Sequence, residues 1–255
     1  MRKGFTKSKC QLLLITGWVC AVAGHAVATP STLGFYPSTD IYSQGTVHLD
    51  VDTYSKGLLR ESTQTVGLTT GIGDKDSIFG RTEVGFDYLY KAAGKTPSDA
   101  SSDPLSIGKR LLFNIKTQLY SKNDMRLVAG FWGVGADEIA APDVGYLLGS
   151  KAFSWGRVHL GLAHSLSSES NLTTPDGNHD QTYLALGFDR SLTKKLSFAV
   201  DYYSGKSAIS GIQPTFYYTL TKSTSVGLGL MHFNDGTIEP SRNQIYLCID
   251  SNFSY

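Results

Sequence analysis

The chain ends in Gln244-Ile245-Tyr246-Leu247-Cys248-Ile249-Asp250-Ser251-Asn252-Phe253-Ser254-Tyr255. Ile245, Leu247, Ile249, Phe253 and Tyr255 share one parity, interrupted at Ser251, while Gln244, Tyr246, Asp250 and Asn252 take the other. Side chains of a strand point alternately to opposite faces, so the stretch reads as a strand with one apolar and one polar side.

Working back from it, the same pattern recurs from Gly45 onward. Val47, Leu49 and Val51 alternate with His48, Asp50 and Asp52; Val66, Leu68 and Ile72 with Gly67, Thr69 and Gly71; Val84, Phe86 and Tyr88 with Glu83, Gly85 and Asp87. Later runs, among them Leu111–Tyr120, Arg157–Ala163, Tyr183–Asp189, Leu196–Tyr203 and Ser225–Leu230, behave alike. Met125–Ala136 and Val144–Ala152 read as two weaker strands without an assigned facing. The total is about twelve strands, an even number suited to a closed antiparallel up-and-down barrel. The connections between them alternate, long at residues 55–62, 91–104, 137–143, 167–180, 204–210 and 234–241, and short at 73–77, 121–124, 153–156, 191–195 and 221–224.

A soluble sandwich would turn its apolar side inward and show Lys, Glu and Asp outside. Here the polar side is rich in small residues instead: Gly67, Gly71, Gly161, Ala163, Ala185, Gly187, Ala199, Gly227 and Gly229. Such a face makes a poor soluble exterior and a suitable lumen wall. The apolar side carries aromatics at its predicted termini, Tyr88, Tyr90 and Tyr202 at one edge and Phe188, Phe253 and Tyr255 at the other, as two interfacial girdles would.

The final strand, closing on Phe253 and Tyr255, resembles the closing strand of bacterial outer-membrane β-barrels of the porin-like class. The resemblance implies an all-β transmembrane barrel in the cell outer membrane. It also implies that Phe253 and Tyr255 form part of a signal read by the barrel-insertion machinery. Outer-membrane lipids and small hydrophilic solutes are the partners expected of such a barrel.

Residues 1–28 read as a signal peptide. Arg2, Lys3, Lys7 and Lys9 precede the apolar run Leu12–Val22, and Ala26-Val27-Ala28 offers small residues for cleavage. That run is short of the roughly 20 residues a membrane-spanning helix needs. Losing residues 1–28 changes the formal charge from +1 to −3, which does not suggest nucleic-acid binding. Cys10 and Cys20 leave with the signal, so the expected mature chain keeps Cys248 alone and has no internal disulfide. Residues 29–44, with Pro30, Gly34 and Pro37, have no periodicity and read as an irregular lead-in that either stays in the periplasm or enters the barrel mouth. The barrel domain is 45–255.

Inward-facing charges fall in groups. Asp50, Asp52, Glu83 and Asp87 come from the first strands; Arg110, Lys116, Arg126 and Arg157 from the middle; Asp189, Asp201 and Asp250 from the last third. In a closed ring this sets a basic wall facing an acidic one across a narrow, open pore for passive diffusion. The opposing arrangement is an interior zipped by pairing, giving a structural membrane protein.

Two alternatives are weaker. One is an outer-membrane hydrolase of the phospholipase type, suggested by His164-Ser165, but adjacent strand residues point to opposite faces and a base must reach its nucleophile. The other is a soluble exported barrel binding an apolar ligand. No cofactor motif is present. Asp50-Val51-Asp52 reads as two lumen residues rather than a metal pair, and Asp176–Asp180 falls short of a calcium loop.

Overall fold

A computed structural model describes residues 32–55, 62–74, 76, 80–91, 111–135, 143–166, 182–207, 209–237 and 243–255. The proposed signal, Arg110 and Asp176–Asp180 lie outside them, as does the side chain of Tyr90.

Twelve strands form the chain: β1 (Thr46–Ser55), β2 (Ser62–Ile72), β3 (Thr82–Lys91), β4 (Leu111–Lys122), β5 (Met125–Val134), β6 (Val144–Phe153), β7 (Gly156–Ser165), β8 (Thr182–Ser191), β9 (Leu196–Tyr203), β10 (Gly211–Thr219), β11 (Thr224–Phe233) and β12 (Asn243–Ser254). Each pairs antiparallel with its sequence neighbours, and β1 pairs with β12 to close the ring. Closure removes both free edges, so every ladder finds its partners within the sheet. The seam runs unbroken from Thr46 opposite Ser254 to Ser55 opposite Ile245.

The expected alternation sets the two surfaces. Leu49, Phe113, Leu160, Leu162, Leu228, Leu247 and their counterparts stand exposed on the outside. His48, Lys116, Tyr183, Asp201, Tyr246 and Asp250 are buried inside. The charged side chains on the outer face of β6 and β8, Lys151 and Arg190, sit at strand termini near the short turns. Ser251, the interruption in the apolar parity of β12, puts its hydroxyl 3.2 Å from Thr224 Oγ1 across the β11 pair, so the two neutral groups satisfy each other on an outward face.

One end of the barrel carries tight connections at 123–124, 154–155, 192–195 and 220–223; call it the turn end. Asn123 and Asp124 both adopt positive φ there, as a two-residue hairpin turn requires. The alternation of connection lengths fails once. Residues 73–81 join β2 to β3 at the turn end and outnumber residues 56–61 at the other, because β3 begins only at Thr82. Phe153, Trp155 and Phe188 stack at the turn end, with centroids 5.1 and 5.7 Å apart, making an aromatic cluster on the rim.

Residues 32–44 of the lead-in lie inside the barrel. The segment enters at the turn end, where Thr46 N–H donates to Ser43 carbonyl and Gln44 bridges Gly71. It rises through the lumen to a tight reversal, with Leu33 N–H donating to Tyr36 carbonyl at 2.8 Å and Thr32 bridging Pro37. Leu33, Tyr36, Ser38, Thr39, Asp40 and Tyr42 are all buried.

Candidate functional site

The lumen wall and the lead-in together form the site. The segment's reversal is held by Asp201 of β9, whose Oδ2 accepts from the backbone N–H groups of Gly34, Phe35 and Tyr36 at 2.8, 2.9 and 3.0 Å. Three convergent N–H groups are a match for one carboxylate oxygen, and a turn offers them without a side chain. Tyr217 OH, on the neighbouring strand β10, donates to Leu33 carbonyl at 2.6 Å. Tyr36 stacks on Tyr203 at 3.5 Å and meets the edge of Trp132, while Phe35 packs against Trp132 and Tyr54. Burial, then the nearby Asp201 carboxylate, pushes the Tyr36 phenol well above its ordinary pKa and keeps it neutral.

Below the reversal, Asp40 is clasped by two arginines. Arg157 donates from both terminal nitrogens to its two oxygens at 2.6 and 2.5 Å, the fork geometry that suits a carboxylate, and Arg126 reaches Oδ1. Burial works to raise the Asp40 pKa, but these guanidinium groups outweigh it and hold the carboxyl below its usual range. Arg157 Nε also donates to both oxygens of Asp189 on the adjacent strand at 2.9 and 3.0 Å. Thr39 and Ser150 hydroxyls meet at 2.6 Å.

A third set ties the entry. Lys116 pairs with Glu83 across β3 and β4 at 3.0 Å and donates to Ser38 carbonyl at 3.2 Å, while Glu83 Oε2 accepts from Tyr42 N–H. Fully buried Lys116 thus has both charge and proton partners.

The remaining predicted lumen residues, Asp50, Asp52, Asp87 and Asp250, gather on β1, β3 and β12. Asn114 Nδ2 donates to Asp87 Oδ2 at 2.8 Å and Tyr246 OH to Asp52 Oδ1 at 2.9 Å. Phe253 and Tyr255 lie exposed at the turn end, where Tyr255 N–H donates to Gly45 carbonyl at 3.0 Å.

Two expectations are corrected. The lumen is not left open at Gly71 and Gly187; both make room for the lead-in. A Cβ on Gly187 would collide with Leu33, and one on Gly71 with the backbone of Tyr42 and Ser43. Nor does a basic wall face an acidic one across a free axis, since Lys116 and Arg157 are neutralised by strand neighbours and the two arginines share Asp40. The hydrolase pair separates, as the facing rule requires: His164 stands outside, 2.9 Å from Thr182 Oγ1, and Ser165 is buried inside.

Sequence reasoning missed Asp40, Tyr36, Trp132 and Tyr203. One signal was available, because Asp40 is the single charged residue between 29 and 44, and a lone charge in an uncharged segment asks for a partner. On the turn-end side of the segment lies a cavity of about 1100 Å³, lined by Asp40, Tyr42, Arg81, Gln118, Arg126, Arg157, Asp189 and Asn252 among others.

No protein-family profile matches the chain, and no curated protein is similar to it in sequence. Among solved structures the chain is similar to outer-membrane β-barrels. The NanC porin aligns at 7% identity and a TM-score of 0.49, covering 81% of this chain and 100% of that one. The outer membrane phospholipase of Salmonella typhi, a dimer with bound calcium, aligns at 11% identity and 0.46, covering 85% and 92%. Omp33 of Acinetobacter baumannii aligns at 11% identity and 0.39, covering 84% and 99%.

Proposed function

We propose that the protein is an outer-membrane barrel containing a narrow passage for small hydrophilic solutes, held shut by its own residues 32–44. The turn end, with its tight connections, faces the periplasm, and the exposed apolar belt meets lipid.

The observation that carries this reading is the polar vestibule of about 1100 Å³, which opens at the turn end and abuts the lead-in at Leu33, Asp40 and Tyr42. A barrel built purely as an anchor has no use for an arginine-lined antechamber. The segment also enters and turns back without passing through the ring, since Thr32 lines the same cavity as Gln44 and Gly45.

Planar-bilayer recording tests the reading with two proteins, the mature chain and one lacking residues 32–44. The intact chain is expected to conduct rarely and the shortened one steadily. A shortened barrel that folds yet passes no current at any voltage overturns the channel reading.

A further inference from the structure

The clasp on Asp40 is made by the wall and filled by the lead-in. Arg126 stands on β5 and Arg157 on β7, while the carboxylate between them arrives on the single charged residue of the stretch 29–44. Arg157 does not rely on that carboxylate for its place. Its Nε donates to both oxygens of Asp189 on β8, which holds the guanidinium from the wall side and leaves both terminal nitrogens for a second carboxylate. Asp40 takes them at 2.6 and 2.5 Å. A donor set fixed by its own surroundings before the acceptor arrives is how a ligand site is preorganised.

The clasp also faces open space. Asp40, Arg126, Arg157 and Asp189 all line the turn-end cavity of about 1100 Å³. The Arg126 side chain is 41% exposed, and among the described residues its guanidinium has Asp40 as its partner, so further N–H donors are left toward the cavity. Charge in the lining depends on the lead-in. Four arginines line the cavity against three aspartates, and Asp40 is one of the three. Without Asp40 the balance becomes four to two, and an anion is needed in its place. The acids of the closing seam, Asp50, Asp52 and Asp250, do not line this cavity.

We propose that Asp40 is a tethered stand-in for the carboxylate of a solute: the Arg126–Arg157 clasp binds small hydrophilic monocarboxylates that enter the vestibule, and a solute seated there turns Asp40 out and loosens residues 38–42. The inference rests on the reading of the vestibule as the mouth of a passage, and it names the class of solute.

The fork of Arg157 fits a planar group with two oxygens. Phosphate suits it less, because a second negative charge would be set near Asp189 on the same guanidinium. Ser150 adds a neutral partner. It lies directly opposite Arg126 on β6, and its hydroxyl, now 2.6 Å from that of Thr39, becomes available to a hydroxyl of the solute when the segment shifts. The shift is local, since Asp201 still holds the N–H groups of residues 34–36. The tether presents Asp40 at an effective concentration of about millimolar or more, so the wild-type barrel binds such a solute weakly.

The test uses mature protein folded in detergent micelles and titrated, at matched ionic strength, with sodium lactate, its uncharged analogue lactamide, inorganic phosphate and sodium chloride. Lactate is expected to speed hydrogen exchange of the Tyr42 amide, which Glu83 accepts in the docked segment, and the other three to leave it nearly unchanged. Asp40→Asn removes the internal competitor and should bind lactate about tenfold more tightly in an NMR titration. Adding Arg126→Gln to that variant should cancel the gain. If the variants fail to fold, the exchange measurement on wild type still decides. Equal effects of lactate and chloride, phosphate acting as strongly as lactate, or a lactate affinity that Asp40→Asn does not change would each overturn the proposal. None of these readings needs a current. A shortened barrel that folds without conducting is a failure of the passage, whereas steady conduction with no response to lactate is a failure of this inference alone.

Discussion

Gly187 of β8 and Leu33 of the lead-in claim the same space: a Cβ on the glycine would overlap Leu33 Cδ1. The obstructing atom is the end of a flexible side chain, so Gly187→Ala should be absorbed by a rotamer change and behave as wild type. Gly187→Leu cannot be absorbed so cheaply, since overpacking costs about 1–3 kcal/mol. Its barrel should still migrate as a compact form on unheated gels, while bilayer conductance rises and residues 32–44 become susceptible to protease.

Asp201→Ala should release the reversal at 34–36. Three N–H groups lose their acceptor in a buried place, at about 1–3 kcal/mol each if left unpaired. Hydrogen exchange of the Gly34, Phe35 and Tyr36 amides is the direct readout, and it should accelerate by orders of magnitude. Unchanged protection would mean that aromatic packing around Tyr36 alone holds the segment.

How much of this could be read from the chain varies by region, and the lead-in explains the variation. The facings of β1, β7 and β12 were legible because their inner residues are polar or small against an apolar outside. Those of β5 and β6 were not, because Val128, Val144, Tyr146 and Leu148 point inward onto the aromatic cluster around Tyr36 and Trp132. Both sides of these strands are apolar, one for the surroundings and one for the segment, and the alternation vanishes. The inward charges were legible as inward, but their pairing was not. Asp40, on which Arg126 and Arg157 converge, lies in a stretch with no periodicity to place it.

The seating of Asp40 should depend on pH. Its folded pKa is depressed below the unfolded value, so the docking free energy it adds is fully present above the ordinary carboxylate pKa of about 3.9 and is lost as pH falls through the lower, folded value. The wild-type barrel should pass little current at neutral pH and begin to conduct as acidification passes below about pH 4. Asp40→Asn should remove this component and lose about 2 kcal/mol of docking at pH 7. Conductance of the two proteins as a function of pH checks both statements.

Removing Phe253–Tyr255 takes away the rungs Val47–Phe253 and Thr46–Ser254 of the seam and the Tyr255-to-Gly45 hydrogen bond. Such a truncation should reach the membrane poorly, with little of the compact form recovered. Recovery equal to the intact chain would show that the remaining rungs suffice for closure.

The sockets that receive residues 32–44 come from β3, β4, β5, β6, β7, β9 and β10, and Gly34 and its anchor Asp201 are 167 residues apart in the chain. The segment precedes every strand in the chain and is last to find its place. Its full set of partners exists only once β10 has joined the wall, because contacts of such long range form only after the intervening chain is ordered. Its docking therefore reports that the barrel is finished. A half-built ring would leave Arg126 and Arg157 on its inner face and residues 32–44 beside it, each without the partner that the closed wall brings together.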